Sequence, residues 1–137
     1  MDKKELINEA IKAREFSYCP YSGFAVGAAL LTKDGKVFRG CNIENAAYGP
    51  VNCAERTAFF KAISEGYKEF EAIAIVGAKK GTEINDYAYP CGVCRQVMEE
   101  FCDHDTFKVY VAKNENDYKE FNLVDLLPYG FGPKNLE

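Results

Sequence analysis

Two short segments hold the residues best suited to chemistry: Cys53-Ala54-Glu55-Arg56 and Pro90-Cys91-Gly92-Val93-Cys94-Arg95-Gln96. Cys53, Cys91 and Cys94 offer three thiolates to one metal ion. Three protein ligands leave the fourth corner of a tetrahedral zinc open to water, which separates a catalytic site from a closed structural one. Glu55, two residues after the first cysteine, is a carboxylate able to move protons beside such a centre. A closed structural site would need a further Cys or His, and the rest of the chain presents no second close-spaced pair. A redox thiol pair at Cys91 and Cys94 would leave Cys53 idle.

Spacing sets what the supporting elements must do. Cys91 and Cys94 are three apart, so on a helix they share one side within a turn. Cys53 must come from another helix that begins there, and both helix N-termini then face the metal, where their partial positive charge favours thiolates. Glu55 lies about 200° around a regular helix from Cys53. The two can cooperate only at the very start of that helix, where side chains bend past its end. Arg56 falls on the Cys53 side, placed to hydrogen-bond a ligand sulfur and offset the electron-rich ligation of three thiolates.

The 137 residues lead us to expect one domain, 1–137, with a real hydrophobic core. A net charge of −4 argues against a nucleic-acid or acidic-membrane surface. The N-terminus Met1-Asp2-Lys3-Lys4-Glu5 does not read as a signal peptide, and no apolar run approaches the ~20 residues of a membrane helix, so a cytoplasmic location is expected. Six cysteines in a secreted chain could form three disulfides. In a reducing compartment they read as metal ligands plus small core residues, the latter being Cys19, Cys41 and Cys102. His104, the single histidine, reads as a solvated turn residue, and Phe59 and Phe60 read as core.

Leu6, Ile7, Ala10, Ile11 and Arg14 recur at helical spacing and predict a helix over 3–17, broken by Cys19-Pro20-Tyr21-Ser22-Gly23. Residues 24–32 and 37–41 predict strands joined by a turn containing Asp34-Gly35. Residues 42–50 read as a loop, and about 52–64 as a helix with Gly66 at its C-terminal end. The apolar run 70–78 predicts a central strand. A helix over 91–102 follows, then strands at 107–112 and 118–123. The connection between those last two is too short for a parallel crossover, so they should form an antiparallel hairpin. Residues 123–127 predict a final helical turn. The expected class is α/β: a mixed five-stranded sheet with helices on its faces, a three-layer α/β/α arrangement.

The pairing of C-A-E with P-C-x-x-C resembles the zinc-dependent deaminases. With Asn42-Ile43-Glu44-Asn45-Ala46-Ala47-Tyr48 upstream, nearly the whole chain resembles the small homotetrameric zinc cytidine deaminases. That resemblance implies one Zn²⁺ per chain on Cys53, Cys91 and Cys94, with Glu55 as the catalytic proton shuttle. It implies Phe24 near the base, Asn42 and Glu44 on the ribose hydroxyls, and Ala54 among the substrate contacts. Ala46, Tyr48 and a C-terminal aromatic, matched here by Phe131, would come from neighbouring subunits. Gln96 would support the thiolates. The implied reaction is hydrolytic deamination of cytidine and 2′-deoxycytidine in pyrimidine salvage.

Physical chemistry supports a free nucleoside as substrate. A nucleotide would want a phosphate cradle, and residues 20–50 offer only Lys33, Lys36 and Arg39, all around the expected hairpin. A polynucleotide would want a basic stacking channel, which an acidic chain does not provide. Two other readings stay open: a deaminase of a cytosine nucleoside antibiotic such as blasticidin S, and a non-catalytic zinc-binding module. Asn42 with Glu44 favours an unmodified ribose, and Glu55 has no use in a purely structural site.

Overall fold

In the computed structural model, which describes Met1–Glu137, a five-stranded sheet runs in the order β2-β1-β3-β4-β5. Its strands are β1 (Phe24–Thr32), β2 (Val37–Cys41), β3 (Phe70–Lys79), β4 (Lys108–Asn114) and β5 (Asp117–Asn122). β1 is antiparallel to both β2 and β3, β3 and β4 are parallel, and β4 and β5 form the antiparallel hairpin. The helices are α1 (Lys3–Arg14), α2 (Ala54–Ser64), α3 (Gly92–Phe101) and a short α4 (Leu123–Leu126), with a 3-10 turn at Pro133–Leu136. The turn is the one element that composition did not foretell.

Period-two alternation along the central strands builds the layers. Ala29 and Leu31 of β1 and Ala72, Ala74 and Val76 of β3 pack with Leu6, Ile7 and Ala10 of α1. The intervening Ala28, Leu30, Ile73 and Ile75 pack on the other face with Ala54, Ala58 and Phe59 of α2, Met98 of α3 and Leu123 of α4. With both faces covered, β3 reads as an almost unbroken apolar run, because each alternate residue has a core of its own.

Two glycines let the helices sit directly on the sheet. A Cβ at Gly27 would lie 2.1 Å from Ala10 O of α1, and one at Gly40 would lie 2.3 Å from Ala54 O of α2. Gly40 therefore fixes the height of α2, and with it the start of that helix, above β2.

Several expectations need correction. The first helix ends at Arg14, and Ala13 joins its buried face. Arg14 turns its guanidinium to the carbonyls of Ala25, Ala78, Lys79 and Thr82. Phe60 is 47% exposed, because the buried face of α2 is Ala54, Glu55, Ala58, Phe59 and Ala62 and Phe60 points off it. Cys19 is buried as expected, whereas Cys41 and Cys102 are half-buried. His104 is no free turn residue: its Nδ1 lies 2.6 Å from Oε1 of the buried Glu99.

Candidate metal centre and nucleoside site

Cys53 is the N-cap of α2 and Cys91 the N-cap of α3, both in extended backbone, and Cys94 lies in the first turn of α3. Two helix N-termini, each with unpaired backbone N–H groups, are thereby aimed at one point. Cys53 Sγ lies 3.7 Å from Cys91 Sγ, which lies 3.5 Å from Cys94 Sγ. A disulfide would hold two sulfurs about 2.05 Å apart, so these are separate thiols.

Glu55 occupies the second residue of α2, yet its side chain is buried, at 4% exposed. The 200° separation does not keep it from Cys53, because Cys53 is in the extended region and only Glu55 follows helical geometry. Burial pushes the Glu55 carboxyl up to about 7, and the neighbouring Cys53 thiolate adds to the rise. Hydrogen bonds from Cys94, then from Arg56, pull Cys53 down to about 5, and the same contact with Cys53 pushes Cys94 up. Arg56 donates from Nη2 to Cys53 Sγ over 3.3 Å, as its spacing suggested.

The polar residues beyond the thiols are held by dense local hydrogen bonding. Asn42 Oδ1 accepts from Val26 N and from the Ser17 hydroxyl, and its Nδ2 donates to Phe24 O over 2.8 Å. One amide N–H of Asn42 is left over. Glu44 accepts from the backbone N–H groups of Tyr21 and Ser22, each at 3.0 Å, and from the Ser22 hydroxyl. Those bonds, led by the hydroxyl, hold its carboxyl below the usual carboxylate range. Glu44 and Tyr48 line an open cleft of about 370 Å³ with Tyr21, Ser22, Asn45 and Val51.

Phe24 opens β1 with its side chain partly exposed. Ala54 is the fully buried first residue of α2. Ala46, Tyr48 and Phe131 are exposed, Tyr48 at 78% and Phe131 at 58%. The side-chain amide of Gln96 donates to Phe131 O of the C-terminal tail over 2.7 Å. Residues that sequence reasoning passed over are Ser17 and Ser22, which orient Asn42 and Glu44. Hydroxyls bonding across 25 and 22 positions leave no periodic trace to find.

A three-layer α/β/α fold that delivers three thiols and one buried carboxyl to the starts of two helices defines a protein of the zinc deaminase class. The family model for "Cytidine and deoxycytidylate deaminase zinc-binding region" matches residues 1–112. The chain belongs to that cytidine and deoxycytidylate deaminase family. It is 54% identical over 136 residues to the cytidine deaminase of Halalkalibacterium halodurans, covering 99% of this chain and 98% of that one. It is 49% identical to the cytidine deaminase of Sporosarcina psychrophila, covering 99% and 96%. The crystal structure of cytidine deaminase from Burkholderia pseudomallei superposes with a TM-score of 0.85 at 50% identity, covering 96% of this chain and all of that one.

The donor set fits the metal that the family name implies. Zinc–thiolate bonds of about 2.3 Å in a tetrahedron place sulfurs about 3.8 Å apart. The three Sγ atoms lie within 4.8 Å of one another, with the two measured pairs at 3.7 and 3.5 Å. The match holds without moving either helix.

Proposed function

We propose that this chain hydrolytically deaminates cytidine and 2′-deoxycytidine to uridine and 2′-deoxyuridine, releasing ammonia. The observation that carries the reading is the buried Glu55 carboxyl beside three converging thiols. Cys53, Cys91 and Cys94 would hold one Zn²⁺ per chain. When bound, zinc supplies Lewis acidity and lowers the pKa of water, giving a nucleophile at neutral pH.

The remaining work falls to the chain's own groups. Glu55 takes a proton from the attacking water and delivers it to the ring nitrogen beside the attacked carbon. It then takes the second proton from the newly added hydroxyl and hands it to the amine, which leaves as ammonia while the carbonyl forms. Arg56 draws charge off the Cys53 sulfur. Ala54, at the first helical position of α2, brings a backbone N–H that has no partner within the helix. Phe24 offers an aromatic face to the pyrimidine. Glu44 accepts a hydrogen bond from a sugar hydroxyl, and the spare amide N–H of Asn42 donates one.

The exposed Ala46, Tyr48 and Phe131 fit side chains lent between copies, and we assign the protein a homotetrameric assembly with shared sites. No helix is long and apolar enough to cross a membrane. A cytoplasmic role in pyrimidine salvage completes the reading, with no nucleic-acid or membrane partner.

Ultraviolet-monitored turnover of cytidine and 2′-deoxycytidine, with zinc quantified by mass spectrometry, tests it. Turnover in the parent is expected, with about one zinc per chain in both parent and Glu55→Ala. The Glu55→Ala variant should lose a factor of about 10²–10⁴ in rate. A zinc-loaded parent that converts neither nucleoside rules the proposal out.

A further inference from the structure

Glu99 is a buried carboxylate with no part in the chemistry above. It lies in the second half of α3, where the helix dipole disfavours negative charge. Its neighbours Glu100 and Asp103 are acidic as well. An apolar side chain would be cheaper to bury there. The carboxylate instead has His104 on one side, with Nδ1 2.6 Å from Oε1, and the C-terminal tail on the other.

The tail passes over Glu99 on glycines. A Cβ at Gly130 would stand 2.8 Å from Glu99 Oε1, the nearest atom, and 3.0 Å from both Glu99 Cδ and Leu127 Cδ2. A Cβ at Gly132 would stand 3.1 Å from both Glu99 Cγ and Oε2. Neither glycine has a positive φ, so backbone freedom is not what these positions require. They require space. One turn earlier on α3, Gln96 Nε2 donates to Phe131 O, the residue between the two glycines. Asn135 Oδ1 accepts from Gly132 N and closes the turn that follows. Phe131 is thus pinned by its backbone from both sides while the residue stays 58% exposed.

We propose that Glu99, braced by His104, is a positioning residue. The pair forms a seat into which Gly130 and Gly132 fit, and that seat sets the direction in which Phe131 presents its ring. The consequence for turnover rests on the reading of Phe131 as a ring lent to a neighbouring copy's nucleoside site. α3 then joins both ends of one device. Its first turn carries Cys91 and Cys94, and its next two turns hold the segment that supplies the ring.

The test places 4-fluorophenylalanine at position 131 of the zinc-loaded protein and follows its fluorine resonance alongside cytidine kinetics. Gly130→Ala should shift or broaden the resonance and raise KM by about fivefold or more, with kcat within about twofold. In the double variant Gly130→Ala/Glu99→Asp the carboxylate is withdrawn by one methylene, and both readouts should return toward the parent. A glycine kept only for clearance from Leu127 would not be rescued by shortening Glu99. An unchanged resonance in Gly130→Ala, or no recovery in the double variant, overturns the proposal. A resonance that moves and recovers while KM stays constant upholds the seat and overturns the nucleoside role of Phe131 instead.

Discussion

Arg56 Nη2 lies 3.3 Å from Cys53 Sγ, while the Nε of the same guanidinium is buried without a partner in the chain. The one side-chain hydrogen bond that Arg56 makes within the chain is therefore to the thiol cluster. Its charge offsets part of the negative charge that three thiolates would bring to a metal. Replacing Arg56 with Ala should lower kcat/KM at pH 7 by about tenfold or more, with partial recovery as the pH rises. Pre-steady-state and steady-state rates across pH 6–9 (a range of about three units around neutrality) would check this. A uniform loss at every pH would assign Arg56 to folding alone.

Glu55 gives the metal-free protein a characteristic pH dependence. Its carboxyl rises from 4.5 to about 7 on folding, so the folded state holds the proton more tightly than the unfolded one. Such a group contributes stability that is fully present below 4.5 and lost as the pH climbs through about 7. The Glu55→Gln variant has no such titration. In chelator it should unfold at the same urea concentration as the parent in acid, and be more stable by up to about 3 kcal/mol above neutrality. Parallel stability curves for the two proteins would contradict the burial argument.

Gly40 links the sheet to the site. Its replacement by Ala drives a methyl group into Ala54 O and Ala58 N, both backbone atoms that cannot swing aside. The helix must lift, carrying Cys53 and Glu55 with it. A loss of about 1–3 kcal/mol in urea unfolding is expected, together with weaker zinc retention in a chelator competition. Unchanged stability, or unchanged zinc retention, would count against this.

Ser22→Ala, at an exposed position, removes the hydroxyl that donates to Glu44 and accepts from Phe24 N. The carboxylate keeps its two backbone donors but loses the bond that contributes most to its acidity. KM for cytidine should rise several-fold with kcat nearly constant, the signature of lost binding common to ground and transition states. Steady-state kinetics would show it, and a fall in kcat of the same size as the rise in KM would count against the assignment.

Much of this molecule could be read before it was seen. The strands emerged because both faces of the sheet are buried and alternate residues along β1 and β3 serve different helices. The thiol cluster emerged because close spacing on a helix start is a local property. Misreadings arose where residue type was taken as a guide to placement. Phe60 is apolar but sits off the buried face of α2. His104 is polar but pairs with the buried Glu99 five positions back. The bond from Gln96 to Phe131, 35 positions on, follows a tail path that no periodicity encodes. Glu55 looked misdirected because helical angles were applied to Cys53, which is not helical.

The thiols also bracket the middle of the fold. Cys53 stands 38 positions before Cys91, and the whole of α2 and of β3, the middle strand, lies between them. An ion gripping both helix starts clasps the sheet's spine as well as serving the chemistry, and binding that favours the folded chain raises its stability by mass action. Metal supply would then govern how long each copy survives in the cell. Under scarcity, loss of activity and loss of protein would proceed together.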